Sequence, residues 1–320
     1  YQTNYGEVVD LYKLADDSHH GIIFDACIDN DYKYLLTCSD DRSINIYDFK
    51  TGKLIQKLYG HVSRVWKVKF VYNIGDADIW GILSCSEDCK FITWKFNEDK
   101  STLSKHSAHE VSHIKNCWNI DYYDNQVLSC GNDGRVKLTF IDIDDISTGN
   151  TIPLELSKKE MIKDMIKVAD DDYVLLSNSG DKLYNINTKN GADSAVECFA
   201  LKSVFKIVDI NHNSMFLALD KNNSITLYQK TFKINKIKEF IITDVSKILS
   251  LNLVGRVDDK HFEFVIDSPN KNDNFILYSF DLENLKITKI DEYSKVVEHQ
   301  KHSLTVTRGA YHKADDSLLI

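Results

Sequence analysis

Histidine, serine and aspartate recur together in the first half of the chain, and these residue types can form a hydrolase triad or a structural hydrogen-bond network. In one copy, His61 precedes Ser84 and Asp88. The equivalent pairs are His19 with Asp41, His61 with Asp88, and His113 with Asp133. A catalytic triad occurs once in an enzyme, whereas this set recurs with its aspartates 47 and 45 residues apart. The repetition favours a structural role for these histidines and aspartates.

The elements that must position these residues are short strands. Apolar residues alternate with polar ones in segments such as Tyr34–Cys38, Ile44–Tyr47, Gly81–Cys85, Phe91–Trp94, Gln126–Cys130 and Val136–Phe140. Turns rich in Asp, Asn and Gly separate them, which is typical of antiparallel hairpins. In such a repeat a strand Ser or Thr and the aromatic residue of the next strand complete the network, so we expect pairs of Thr37 with Tyr47 and Ser84 with Trp94.

Later copies keep the phase of the repeat but lose its histidines. The closing aromatic position runs through Tyr47, Trp94, Thr139, Tyr184, Tyr228 and Tyr278. With partial copies at both ends, the chain is predicted to be an all-β, WD-repeat β-propeller of about seven four-stranded antiparallel blade-equivalents, cut from something longer. Residues 1–145 would hold the strong blades and residues 146–320 the degenerate ones. A single seven-bladed ring and parts of two propellers both fit this pattern.

Composition argues against several classes of protein. The chain has 320 residues, 43% of them hydrophobic, and a net charge of −9, which argues against a body that binds nucleic acid over its whole surface. No apolar run reaches the length of a membrane span. Seven cysteines without a Cys-x-x-Cys pair predict reduced, buried thiols in a cytoplasmic protein. His106, His109 and His113 invite a metal site, but we expect an ordinary loop and no metal there.

Five cations belong to the best-preserved repeats and are candidate contacts for a phosphate or a carboxylate. They are Arg42, Arg64, Lys67, Lys115 and Arg135. Their positions beside turns and loops would gather them near the faces of a propeller. The alternative interpretation is scattered surface charge.

Several strings in register resemble a known family. The most specific are Arg64-Val65-Trp66, Ser86-Glu87-Asp88-Cys89 and Asn132-Asp133-Gly134-Arg135-Val136-Lys137-Leu138. They resemble WD repeat-containing protein 6 and its fungal counterparts, over roughly residues 4–140. The chain departs from the pattern at Thr139, where Trp is usual, and over most of residues 150–320.

The resemblance implies that this sequence is a fragment of a longer chain of several propellers, and that the protein is a non-catalytic subunit of a tRNA methyltransferase complex. Such a subunit binds an FtsJ-type methyltransferase and directs it to the ribose 2′-hydroxyl of the anticodon wobble nucleotide, position 34. The partner binds S-adenosylmethionine, and this chain would need no cofactor of its own. The five cations above would then contact tRNA or the partner.

Two other functions remain open from the sequence. One is a general protein-protein interaction scaffold, in vesicle recycling or signalling, without an RNA role. The other is a propeller enzyme with its site in the central channel, although the titratable residues of the motifs are turn aspartates already assigned to the blades.

Overall fold

The structure is a computed structural model, and the residues it describes form 28 β-strands. The described residues are 2–4, 7–10, 19–29, 31–72, 79–97, 101–109, 113–123, 126–140, 151–154, 161–169, 172–188, 197–201, 203–212, 214–231, 233–268, 274–294, 310–312 and 317–319. No helix among them is long and apolar enough to cross a membrane.

Most strands belong to four-stranded antiparallel sheets whose strands follow the order of the chain. A two-stranded sheet comes first, with β1 (Gln2–Asn4) and β2 (Glu7–Asp10). The next sheet contains β3 (Ile23–Ile28), β4 (Tyr34–Ser39), β5 (Ser43–Asp48) and β6 (Leu54–Tyr59). It is followed by β7 (Val65–Tyr72), β8 (Ile79–Ser86), β9 (Phe91–Phe96) and β10 (Leu103–His109).

Four further four-stranded sheets and a final hairpin repeat this order. They contain β11 (Cys117–Tyr123), β12 (Gln126–Gly131), β13 (Val136–Phe140) and β14 (Thr151–Leu154); β15 (Ile162–Lys167), β16 (Asp172–Ser177), β17 (Lys182–Asn187) and β18 (Glu197–Ala200); β19 (Val204–His212), β20 (Met215–Asp220), β21 (Ser224–Lys230) and β22 (Ile234–Ile241); β23 (Ser250–Arg256), β24 (His261–Ser268), β25 (Asn274–Asp281) and β26 (Lys286–Ser294); and β27 (Ala310–His312) with β28 (Ser317–Leu319).

The chain divides into two compact units. The first unit contains residues 13–178 and 183–198, and the second contains residues 1–12, 179–182 and 199–320. The predicted division after residue 145 stays a prediction.

Burial follows the position of a strand within its sheet. The second and third strands are buried almost throughout, as in β4, β5 and β9, whereas the fourth strand is more exposed, as in β6 and β22. In the first unit, Leu36, Ile46, Val68, Ile82 and Trp94 pack in one apolar cluster. Inner strands are therefore buried on both faces, and their polar residues, such as Thr37, Asn45 and Ser84, are buried with the apolar ones.

The closing aromatics of the later repeats lie where the phase of the repeat predicts. Tyr184, Tyr228 and Tyr278 each stand in the third strand of their sheet and are buried. The predicted hairpin strands are also present, and their ends differ from the prediction by at most two residues.

A β-bulge near the start of the first strand recurs in five consecutive sheets, and sequence alternation did not predict it. In β7, Val65 pairs with Ser86 and Lys67 with Cys85, so Trp66 is the extra residue. The register shifts in the same way at Phe24, Trp118, Lys163 and Phe205. A bulge turns its extra side chain away from the ladder and reverses the facing of the residues that follow.

Candidate interaction surface

The hairpin turn of the second complete sheet is held by a buried hydrogen-bond chain. Trp94 Nε1 donates to Ser84 Oγ at 2.8 Å, and His61 Nε2 lies 2.8 Å from the same oxygen. His61 Nδ1 lies 2.8 Å from Asp88 Oδ2. Because the indole N–H can only donate, the Ser84 hydroxyl is free to donate to His61 Nε2, and His61 Nδ1–H then donates to Asp88. The side-chain groups of this hydrogen-bond network, from the indole to the carboxylate, are thus all engaged.

The neighbouring sheets repeat this geometry. His113 Nδ1 lies 2.9 Å from Asp133 Oδ1, and His113 Nε2 lies 3.0 Å from Ser129 Oγ. His19 Nδ1 lies 3.1 Å from both Asp41 oxygens. The predicted histidine–aspartate pairs are therefore present in all three repeats.

In the first repeat, the aromatic end of the hydrogen-bond network differs from the prediction. His19 Nε2 lies 2.7 Å from Thr37 Oγ1 as expected, but the Tyr47 hydroxyl accepts a hydrogen bond from Asn45 Nδ2 at 2.8 Å. The expected Thr37–Tyr47 pair was wrong because Asn45, two residues along the same strand, competes for the tyrosine hydroxyl.

Each turn aspartate also fixes the backbone of the loop that carries its histidine. The N–H groups of His20, Val62 and Ile114 donate to the aspartates at 2.9, 3.0 and 3.0 Å. The aspartates accept a second backbone bond from the residue two positions on, at 3.0 to 3.1 Å. We call these three segments, each beginning at its histidine, the His loops. Their conformation is set by the turns they face.

Hydrogen bonding keeps these aspartates charged. Burial alone would raise the pKa of Asp88, but the His61 hydrogen bond and the backbone N–H groups outweigh it, so the pKa lies below its usual value. The pKa of Asp133 is lowered against burial in the same way, by His113. Burial also lowers the pKa of His19, although Asp41 opposes this effect.

These networks offer no nucleophile. His61 and Ser84 are buried, and His61 Nε2 is already engaged by the serine hydroxyl. Three copies of one arrangement, each closed by its own turn, act as structural clamps rather than as a single catalytic triad.

The candidate cations fall into three environments. Arg42, Lys115 and Arg135 are exposed and form no ion pair with the described residues. Arg64 Nε lies 2.5 Å from Asp40 Oδ1 and 3.9 Å from Glu87 Oε2, so two carboxylates of adjacent turns neutralise it. Lys67 was expected at a loop surface, but it is only 7% exposed and lies within β7. The prediction was wrong because Lys67 belongs to the first strand of its sheet, where it pairs with Cys85, and not to the loop before that strand.

Arg42 adopts a left-handed backbone conformation. Its φ is +69°, equal to that of Gly134 at the equivalent position of the third repeat. A non-glycine residue in this region costs about 1–2 kcal/mol. The turn therefore holds the Arg42 backbone in a conformation that an arginine outside such a turn seldom adopts.

The three bulged aromatics form a continuous stack. The ring centroids of Phe24 and Trp66 are 4.4 Å apart, and those of Trp66 and Trp118 are 4.5 Å apart, both pairs tilted. Trp118 Nε1 donates to Asn132 Oδ1. Trp66 Nε1 is buried without a hydrogen-bond partner among the described residues, because Glu87 at the equivalent position is held by Ser63 and Arg64.

Exposed aliphatic side chains occur in the loops before four consecutive first strands, or at the junction of loop and strand. They are Ile22, Ile23, Val62, Ile114 and Met161, which are 67%, 41%, 73%, 63% and 42% exposed. We call these five side chains, together with the rings of Phe24, Trp66 and Trp118, the His-loop surface. All of its residues belong to the first unit. The sequence motif showed the aromatic spacing, but the bulges that bring the rings together had no signal in the alternation pattern.

The segment with the three histidines was expected to be an ordinary loop, but two of them lie in a strand, and the side chains of those two are outside the described residues. His113 belongs to the network with Asp133, and His106 and His109 lie in strand β10. In the part of the chain that the structure describes, no group of three or more metal-ligating side chains is found.

Comparisons with known proteins identify the repeat. The profile of the family described as "WD domain, G-beta repeat" matches residues 12–48. "Protein transport protein SEC13" of Scheffersomyces stipitis is 39% identical over 83 residues, which cover 25% of this chain and 26% of that protein. "Protein SEC13 homolog" of Drosophila melanogaster is 32% identical over 109 residues, covering 33% of this chain and 30% of that protein. The matched segments thus span about a quarter to a third of these relatives.

A more distant relative and a solved structure extend the comparison. "WD repeat-containing protein 62" of Mus musculus is 26% identical over 113 residues, which cover 35% of this chain and 7% of that protein. The crystal structure of the Myceliophteria thermophila Cps50 (Swd1) β-propeller domain matches with a TM-score of 0.68 and 13% identity, over 92% of both chains. The predicted fold class, an all-β WD-repeat β-propeller of four-stranded antiparallel sheets, is confirmed.

Proposed function

We propose that this chain is a non-catalytic WD-repeat scaffold that binds an FtsJ-type methyltransferase and positions tRNA for 2′-O-methylation of the ribose at wobble position 34. The partner binds S-adenosylmethionine, and this chain binds no cofactor and supplies no catalytic residue. The complex acts in the cytoplasm. A rigid propeller surface of this kind is the general basis of a protein-protein interaction scaffold.

One observation supports the proposal most directly. The strings that carry the family resemblance converge at one end of the first unit, where Arg64 contacts Asp40 and Glu87 and where Trp66 stacks on Trp118. The most specific part of the sequence and the His-loop surface therefore coincide.

Positioning is sufficient to explain how such a subunit raises a reaction rate. Holding a ribose hydroxyl in line with the methyl donor contributes several kcal/mol to lowering the barrier, without a new catalytic group. With a net charge of −9, the chain is suited to share tRNA binding with a partner, and Arg42, Lys115 and Arg135 are the cations available for phosphates.

The test is deletion of the gene followed by mass spectrometry of ribose methylation at tRNA position 34. We expect methylation to fall to background and to return with the wild-type gene, and we expect the methyltransferase to co-purify with the tagged protein. Unchanged methylation in the deletion strain would disprove the proposal.

A second candidate function follows from the SEC13 relatives, whose printed name is protein transport protein. In this case the same propeller would be a scaffold in vesicle transport without an RNA role. The deletion strain separates the two functions, because a transport scaffold predicts slowed secretion with normal wobble methylation.

A further inference from the structure

We propose that the fourth strand of each sheet is protected against the addition of a further β-strand, which prevents copies of this chain from pairing edge to edge. A fourth strand pairs with one neighbour in its sheet, and its other side presents backbone N–H and C=O groups that could continue the sheet. The register is described for five such strands, namely β6, β10, β14, β22 and β26. Each of these five departs from a regular edge.

Four of these strands contain a β-bulge. In β22, Lys236 pairs with Tyr228 and Lys238 with Leu227, so Ile237 is the extra residue. The register of β6, β10 and β26 shifts in the same way, and the extra residues there are Ile55, His106 and Ile290. An extra residue interrupts the even spacing of the outward N–H and C=O groups and increases the local twist. A straight strand therefore cannot form a continuous ladder with such an edge.

The bulge has the same position in all four sheets. It lies next to the residue that pairs with the closing aromatic of the third strand, which is Tyr47, Trp94, Tyr228 or Tyr278. In the third complete sheet, Thr139 takes the place of the aromatic residue, and the pairing of β13 with β14 shows no shift. The bulge is therefore a repeated feature of the described sheets that keep the aromatic side chain, and β14 must be protected in another way.

The strand without a bulge contains a proline. Pro153 lies in β14 and pairs with Lys137. Proline has no N–H group, and within a sheet it is accommodated on an edge strand where the missing donor would face outward. The chain has two prolines, and one of them lies in the described fourth strand that lacks a bulge. A strand added to β14 would therefore find no hydrogen-bond donor at Pro153.

Two of the bulged strands carry additional protection. At the start of β10, Gln56 Nε2 donates to the Leu103 carbonyl at 2.8 Å, and Gln56 Oε1 accepts from the Leu103 N–H at 2.7 Å. These are two of the backbone groups that a further strand would need. In β22, Lys236 and Lys238 are exposed, and charged side chains on an edge strand oppose its burial.

The experiment compares the association of the purified chain with that of two variants that each lose one protective feature. Deletion of Ile237 removes the bulge of β22 and leaves the paired residues on either side of it with their present partners in β21. Pro153→Val restores a backbone N–H in β14 and introduces a β-branched side chain, which favours a strand. Ile237→Thr is the matched control, because it removes the exposed aliphatic side chain but keeps the extra residue. Melting temperatures check that each variant folds.

Analytical ultracentrifugation over a range of protein concentrations measures association. We expect wild-type protein and Ile237→Thr to stay monomeric, and we expect the Ile237 deletion and Pro153→Val each to dimerise at least about 10-fold more tightly than wild-type protein. If the deletion variant does not fold, Pro153→Val provides the test by itself, because it removes no residue.

Hydrogen-exchange mass spectrometry locates the contact. Amide exchange in the changed strand should become slower as the protein concentration rises, because hydrogen bonds between chains protect its outward N–H groups. Local unfolding would instead make exchange faster at every concentration, and association with that signature would overturn the inference. Monomeric behaviour of both variants once folded, or association of Ile237→Thr as tight as that of the deletion, would also overturn it.

Discussion

At the scale of single residues, two tryptophans of the same sheet have different roles. Trp94 is buried and donates to Ser84 at 2.8 Å, whereas Trp66 is half-exposed and its buried Nε1 has no acceptor among the described residues. A buried donor without a partner costs about 1–3 kcal/mol, and a satisfied one contributes about 1 kcal/mol. The two indoles should therefore respond differently to the same substitution.

We expect Trp94→Phe to lower the free energy of unfolding by about 2 kcal/mol, because it removes a hydrogen bond and leaves a small cavity. Trp66→Phe should change it by less than about 1 kcal/mol, since the lost ring area is offset by removal of the unpaired N–H. Urea unfolding followed by circular dichroism measures both. A larger loss for Trp66→Phe than for Trp94→Phe would contradict the hydrogen-bond assignment.

The His19 network predicts a dependence of stability on pH. Burial lowers the pKa of His19 in the folded protein, while the unfolded value is about 6.5. Between these values the unfolded chain binds more protons, so stability is full above about pH 6.5 and is lost as the pH falls below it. We expect the free energy of unfolding to be lower at pH 5.5 than at pH 7.5, and His19→Gln to remove part of this difference.

Urea titrations at the two pH values measure this effect. His20→Gln is the matched control, because His20 is adjacent and exposed and binds Asp41 only through its backbone N–H. An equal pH dependence in His19→Gln and wild-type protein would show that His19 is not the responsible group.

At the scale of elements, the outer strands of two adjacent sheets are joined by one side chain. Gln56 in β6 donates from Nε2 to the Leu103 carbonyl at 2.8 Å and accepts from the Leu103 N–H at 2.7 Å. An outer strand otherwise presents unpaired backbone groups. The amide of Gln56 therefore ties the start of β10 to the preceding sheet.

Gln56→Leu should destabilise the protein by about 1–2 kcal/mol and speed amide exchange at the start of β10, because both bonds are lost. Gln56→Glu should have a smaller effect on exchange, since its carboxylate still accepts from the Leu103 N–H. Hydrogen-exchange mass spectrometry of a peptide containing Leu103 distinguishes them. Unchanged exchange in Gln56→Leu would exclude this role.

The hairpins and the histidine–aspartate pairs were predictable because the first three repeats carry the same residues at nearly the same spacing. The bulges were not, since an extra residue shifts the phase of an alternation, and first strands such as β7, with buried residues on both faces, show no clear alternation to shift. Lys67 was placed on a loop surface because the start of β7 was not recognised, but β7 begins at Val65, and Lys67 pairs with Cys85 and is buried. The hydrogen bond from Asn45 to the Tyr47 hydroxyl was also not predictable, because spacing alone cannot rank two competing partners.

At the scale of the whole molecule, the first unit concentrates the recognisable chemistry. It holds the three histidine networks, the stacked aromatics and the His-loop surface. The second unit keeps the strand phase and buried tyrosines such as Tyr228 and Tyr278. Substitutions that impair partner binding are therefore expected mainly in the first unit.

The measurement that tests the central claim most directly is the affinity of the purified chain for the purified FtsJ-type methyltransferase of the same organism, determined by biolayer interferometry. We predict specific binding that the double variant Val62→Asp/Ile114→Asp in the His-loop surface weakens at least about 10-fold, since the loss of two apolar contacts corresponds to more than 1.4 kcal/mol. Phe140→Asp is the control and should leave the affinity unchanged, because Phe140 is an exposed apolar residue at the end of β13 outside that surface. Absence of binding by the wild-type chain, or equal affinity of the double variant and the control, would contradict the account.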